Sequence, residues 1–436
     1  MPTRRPRPLL TSVTLAVAVV VIVVASTGAF VLANANDGAP DPETAVRTFV
    51  EAAAAGDGRA LLAASMPSER EPIAEYVPGI LDELERLGLV GPLDLNRAGL
   101  VDVAAVDLRT EAEPVDVDTS RVVVDGGHLR GRWAVDGGPL NERLRRVLVD
   151  DLGLDPPQPG ETFDLDLAAH PIVVMSVREL GGWHVSLYET LAEAWRQAAD
   201  APRPSWGRGP TATGSDTPED AVRDLLGAAA ALDATRAVAL TYPPETRALY
   251  DYSTLFLPGS RRLARQAVED EGFALTVGDI SLRSEGSGPE RHVTVEELTA
   301  TWGAGSDWTR LRIEGGCGTW EYAPAPAAEP TRVERRCDGD VSAPSAETAA
   351  GPYRQVSAFS ELGRVMPTFV VLERSGRWFV SPTRTVLRTL HEILVGLQPA
   401  QADDFAARLG DVWEVYRPEP YRDRPTTPLA ALGVGA

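Results

Sequence analysis

The chain has 436 residues, 44% of them hydrophobic and 24% charged, a globular composition with room for about two or three domains, and it excludes an intrinsically disordered chain. A formal net charge of -21 repels phosphate backbones, so nucleic acid is excluded as a partner. No lysine occurs; every strongly basic residue is arginine, which reads as the codon usage of a GC-rich genome before it reads as a functional arginine code.

Residues 1–8 form a basic tip with Arg4, Arg5 and Arg7, and no charge follows until Asp37. Residues 9–32 are dominated by valine, alanine and leucine, and a helix rising about 1.5 Å per residue needs roughly 20 such residues to cross a bilayer. The expectation is a transmembrane helix over residues 9–32, with the tip in the cytoplasm and all that follows exported. The competing reading is a cleaved signal peptide, because Ala33-Asn34-Ala35 fits the small-residue cleavage pattern. A secretory apolar region is about 7 to 15 residues long, shorter than this one, so the uncleaved anchor is preferred. No cysteine closes the run, which excludes a lipoprotein anchor.

Beyond the anchor the chain repeats itself. Shifted by 176 positions, residues 42–81 fall on 218–257 with 15 identities in 40 positions, six of them alanine pairs that composition cheapens. Pro42-Glu43-x-Ala45-Val46-Arg47 matches Pro218-Glu219-x-Ala221-Val222-Arg223, and the register continues through Asp57 with Asp233, Glu69 with Glu245 and Tyr76 with Tyr252. The far ends agree too: Gly182-Trp183-His184-Val185-Ser186 answers to Arg377-Trp378-Phe379-Val380-Ser381. The reading is two diverged repeats, residues 42–199 and 216–398, joined by an exposed proline- and glycine-rich linker at 200–215. Residues 399–436 form a tail in which Phe405, Leu409 and Trp413 suit one more helix before a loose, proline-rich end.

Each repeat opens with helix-start signals, Asp41 or Asp216-Thr217, then proline, then glutamate. Val46, Phe49, Val50 and Ala53, like Val222, Leu225, Leu226 and Ala229, recur at helical spacing. A second short helix carries Leu61 and Leu62, or Ala237 and Val238, and a third runs from about residue 72 to 87. The period then falls toward two, which predicts strands over 101–108, 121–124, 163–167, 172–177 and 183–187 in the first repeat. The second offers 273–282, 292–301, 309–313, 368–373 and 378–381. Helices followed by an antiparallel sheet give an α+β class. Cys317 and Cys337, 20 residues apart, suit two neighbouring strands or a strand and its loop; in an exported domain they form a structural disulfide.

This order, with its Pro-Glu-x-Ala-Val-Arg helix start and its closing Gly-Trp-x-Val-Ser strand, resembles the nuclear transport factor 2-like superfamily, and more closely its membrane-anchored extracytoplasmic members in high-GC bacteria. The resemblance implies a cone of helices and curved sheet around a concave pocket, used by some members for catalysis, by some for ligands and by others for protein contacts. Segments 137–160 and 320–352 depart from the minimal pattern and could fill or cover such a pocket.

Chemistry is sparse. There is no Gly-x-Ser-x-Gly elbow, no His-Glu-x-x-His, no phosphate loop and no dinucleotide fingerprint, so no cofactor is expected. Five scattered histidines suggest no metal site; His170 and His184 answer to Met366 and Phe379, which points to packing. The candidate pocket groups are Tyr76 beside Glu75 and Tyr252 beside Asp251, a tyrosine and a carboxylate capable of proton transfer in a cavity. Their structural reading is a ring packed on the sheet with a wet hydroxyl. Trp183 and Trp378 read as core, Asp116-x-Asp118 and Asp164-x-Asp166 as solvated strand faces, and the arginines at 143, 145, 146 and at 261, 262, 265 as helix surfaces. The function expected is a non-enzymatic, membrane-anchored binding or scaffold protein of the cell envelope, contacting an envelope protein or a small ligand. The alternative is a cavity enzyme of the isomerase or dehydratase type.

Overall fold

The computed structural model describes residues 38–91, 101–133, 162–270, 272–338 and 367–405. The proposed anchor, the cleavage site after Ala35, the arginines at 143, 145 and 146, and Leu409 and Trp413 lie outside them. No helix among the described residues is long and apolar enough to cross a membrane. The chain divides into two compact units: one ends at Pro202 and takes in the chain again from Gln398, and the other is Arg203–Leu397.

The first unit begins with α1 (Pro42–Ala54), started by the Asp41 carboxylate, which accepts from the Thr44 N–H at 2.7 Å, and by proline in the first turn. Asp57 starts α2 (Gly58–Ala64) in the same way. α3 (Pro67–Arg86) begins five residues earlier than the pattern predicts, because Pro67 is a first-turn residue and not a break. Then come β1 (Val101–Pro114), β2 (Thr119–Trp133), β3 (Thr162–Asp166), β4 (Ile172–Glu179), β5 (Gly182–Val185) and α4 (Leu187–Ala198).

The sheet is antiparallel and curled. β2 pairs along one edge with β1, while its other edge takes β4 over Thr119–Val124 and β3 over His128–Arg132. One strand serving two neighbours in succession has to bend, and a bulge between Val106 and Arg109 of β1 supplies the bend. Gly127 lies opposite it at φ +91°, where a Cβ would sit 2.5 Å from the Val106 carbonyl oxygen. The inner face carries Val122, Val124, Ile172, Val174 and Val185, on which Val46, Phe49, Val50, Leu61 and Leu62 pack. Each such side chain contributes about 1.5–3 kcal/mol when fully buried.

The second unit follows the same order: α5 (Pro218–Ala230), α6 (Ala234–Ala239), α7 (Arg247–Asp251), α8 (Ser253–Glu269), β6 (Ala274–Glu285), β7 (Glu290–Ala304), β8 (Asp307–Glu314), β9 (Cys317–Ala323), β10 (Arg332–Cys337), β11 (Phe369–Arg374), β12 (Arg377–Ser381) and α9 (Pro382–Gly396). The third helix is here two. Pro243-Pro244 delays its start to Arg247, since a residue before proline is driven out of the helical region, and the helix interrupts at Tyr252. β7 repeats the behaviour of β2, pairing with β6 on one edge and with β11, then β8, on the other. The core holds Ala221, Val222, Val293, Val295, Trp302, Ile313, Trp320 and Val380.

β9 and β10 extend this sheet into the segment from residue 320 that the sequence marks as an insertion, and of the two placements expected for the cysteines they give the neighbouring strands. Cys317 and Cys337 are directly cross-paired on them and form the disulfide, their Cα atoms 3.9 Å apart. The segment expected as an exposed linker instead packs on the second unit. Trp206 meets the Tyr252 ring edge-on at 5.2 Å, Ser205 N–H donates to Thr254 at 3.1 Å, and Ser215 is buried. Asp116-x-Asp118 is a turn, with Asp118 N–H donating to the Asp116 carboxylate, and not a strand face.

Candidate functional site

Tyr76 is buried on α3 while Glu75, next along the helix, is exposed. Tyr252 is buried against Trp206, and Asp251 is paired with Arg247 at 3.1 Å. Trp183 and Trp378 are half-buried, Trp378 beneath the Arg291 guanidinium at 5.5 Å; beside Trp183 on β5, His184 and Val185 are fully buried. His184 packs over Gly38, where a Cβ would lie 2.7 Å from its Nε2, as Phe379 packs over Gly214. Among the described residues no three His, Cys, Asp or Glu side chains gather in a metal-holding group.

What the fold assembles, in both units, is a buried carboxylate against the start of the last helix. In the first, Ser186 donates its hydroxyl proton to Glu69 Oε1 at 2.6 Å, and Leu187 N–H donates to Oε2 at 2.6 Å. Ser186 Oγ in turn accepts from Glu189 N–H at 3.1 Å. One turn on, the Thr190 hydroxyl donates to the Ser186 carbonyl at 2.6 Å and accepts from Met175 N–H on β4 at 2.9 Å. Glu69 is 1% exposed, and burial pushes its carboxyl up to about 7 against the opposing pull of Ser186 and the Leu187 and Tyr188 N–H groups.

In the second unit Ser381 donates to Glu245, also 1% exposed, and the Thr385 hydroxyl bridges the Ser381 carbonyl and Val370 N–H at 2.6 and 3.0 Å. One partner differs. The residue matching Glu189 is Arg384, whose Nε donates to Glu245 at 2.9 Å. The Ser186 and Ser381 hydroxyls are fully committed as caps, so the arrangement clamps a helix to a sheet and exposes no nucleophile.

Beside the clamp a charged row ties helix to strand. In the first unit Glu193 on α4 meets Arg121 on β2 at 3.1 Å and Arg196 at 2.7 Å. Burial works against the Glu193 carboxylate, but Arg196, Arg121 and Gln197 outweigh it and hold it below the usual range. In the second unit Arg384 meets Glu290 on β7 at 3.5 Å, and Arg388 lies 3.1 Å from His292 Nε2 and 2.9 Å from Glu392.

Sequence reasoning named Glu69, Glu245, Ser186 and Ser381 as repeated identities but did not join them. The available signal was that polar residues recurred where most others had drifted.

The described residues thus define a mixed α+β protein whose two units each have a curled antiparallel sheet and a clamped last helix. No protein-family model, curated protein or solved structure matches the chain.

Proposed function

We propose that the protein is a membrane-anchored, extracytoplasmic binding or scaffold protein of the cell envelope, built of two nuclear transport factor 2-like domains and acting through its surfaces rather than by catalysis. The observation that carries the compartment is the Cys317–Cys337 disulfide, a bond that persists in oxidising surroundings. It accords with the long uncharged run at residues 9–32. The non-catalytic part is supported by apolar side chains packed on the inner sheet faces.

The test is fractionation and protease protection in a bacterial host. The full chain should sediment with membranes, resist carbonate extraction, lose both units to protease added to intact spheroplasts, and contain no free thiol when denatured without reductant. Protection of the units from external protease would overturn the topology, and release into the medium would favour cleavage after Ala35.

A further inference from the structure

The two last helices use the same serine, threonine and glutamate anchors. Ser186 and Ser381 cap them, Glu69 and Glu245 receive those serines, and Thr190 and Thr385 bind the neighbouring strand at 2.9 and 3.0 Å. These bonds would accept either helix on either sheet, and both helices lie on one chain, so the wrong docking is a high-concentration, intramolecular competitor. The charged rows break that equivalence. Met175 faces Arg121 across the ladder as Val370 faces His292, and α4 and α9 start at matching places, so Arg121 answers to His292, Thr119 to Glu290, Glu189 to Arg384 and Glu193 to Arg388. At these matched positions the first unit has Arg121 on the strand and Glu189 and Glu193 on the helix, and the second has Glu290 on the strand and Arg384 and Arg388 on the helix; Arg196 and Glu392 lie beside Glu193 and Arg388 on their own helices.

We infer that this inverted polarity is a docking code that restricts each last helix to its own sheet, so that the chain folds without exchanging α4 and α9 within or between molecules. α4 on the second sheet would set Glu189 against Glu290, where its own sheet offers Thr119. α9 on the first would set Arg388 against Arg121. The positions are poorly hydrated, with the Glu193 side chain 3% and the Arg384 side chain 9% exposed, so like charges there are not screened as they are at a surface. Specificity of this kind requires a repulsive element, and the reversal supplies it in both directions.

The experiment uses the full chain with its disulfide intact, unfolded in denaturant, refolded over a range of concentrations and compared with never-denatured protein by size-exclusion light scattering and by hydrogen exchange of residues 187–198 and 382–396. Two variants carry the opposite unit's row: T119E/R121H/E189R/E193R gives the first unit the polarity of the second, and E290T/H292R/R384E/R388E does the reverse. Wild type should regain its native size and protection at every concentration. At least one variant should refold with native protection at low concentration yet form swapped oligomers about tenfold more than wild type as concentration rises, the effect of one lost discriminating contact. A helix-only reversal, E189R/E193R, should lose protection of 187–198 until T119E/R121H restores it. Clean refolding of both row variants, native behaviour of the helix-only reversal, or failure of both complemented rows to fold would each overturn the inference.

Discussion

Matching places in the two units differ in the residue or in its partners, and Glu69, whose counterpart Glu245 is bonded by Arg384, makes the first unit respond to pH. Its folded carboxyl sits at about 7 and its unfolded one near 4.5, so its contribution is complete below 4.5 and lost as pH rises through 7. The expected loss is about 3 kcal/mol, all in the first unit. His184 runs the other way. Burial first, then the Arg70 guanidinium, hold its imidazole below the ordinary 6.5, so its contribution is present above that value and lost as pH falls below it. Hydrogen exchange of residues 187–198, with 382–396 as internal reference, should show the alkaline slope vanish in Glu69→Gln. The acid slope should vanish in His184→Phe, the residue the second unit already carries. A slope unchanged by its own substitution would refute that assignment.

At the scale of elements, what could be read from sequence was what local signals write. Asp41-Pro42-Glu43 and Thr217-Pro218-Glu219 announce their helices within one turn, and a strand buried on both faces, such as Ile172–Glu179, opens as an apolar run. β10 was illegible because it has no buried face: its one apolar side chain, Val333, is exposed, and its neighbours are Arg332, Glu334, Arg335 and Arg336. Charge on an edge strand hinders pairing with other chains and also erases the period-two signal. The clamp was illegible for another reason, since Glu69 and Ser186 are brought together from 117 residues apart and no spacing announces them. The tyrosine candidates stay open in the sequence because a repeated aromatic is equally a repeated packing residue. The hairpin of β9 and β10 should depend on its bond: Cys317→Ser with Cys337→Ser is expected to cost about 3 kcal/mol and to lower only the second unit's transition in calorimetry. An equal fall in both transitions would contradict it.

For the whole molecule, the boundary near Arg203 matters more than the repeat boundary near residue 216. A fragment of residues 203–397 keeps Trp206 on Tyr252 and the two-way bond between Ser215 and Trp378 at 2.8 Å, and one of 216–397 loses both. The longer fragment is expected to unfold cooperatively in urea and to be at least about 2 kcal/mol more stable than the shorter. Equal midpoints would mean that this segment only covers the unit.

The forked edge of β7 also sets a timetable for biosynthesis. Its pairing with β8 is local and can form as soon as Glu314 has emerged, and the cysteine pair later, at Cys337. The pairing of Val293 with Phe369, and the seating of Ser381 on Glu245, wait until nearly the whole chain has been made. The nascent second unit therefore passes through a stage in which its cysteine hairpin is complete while the Glu290–Val293 stretch of the β7 edge is still bare. A chain at that stage has an open strand and needs the residues through Ser381 before the sheet can shut.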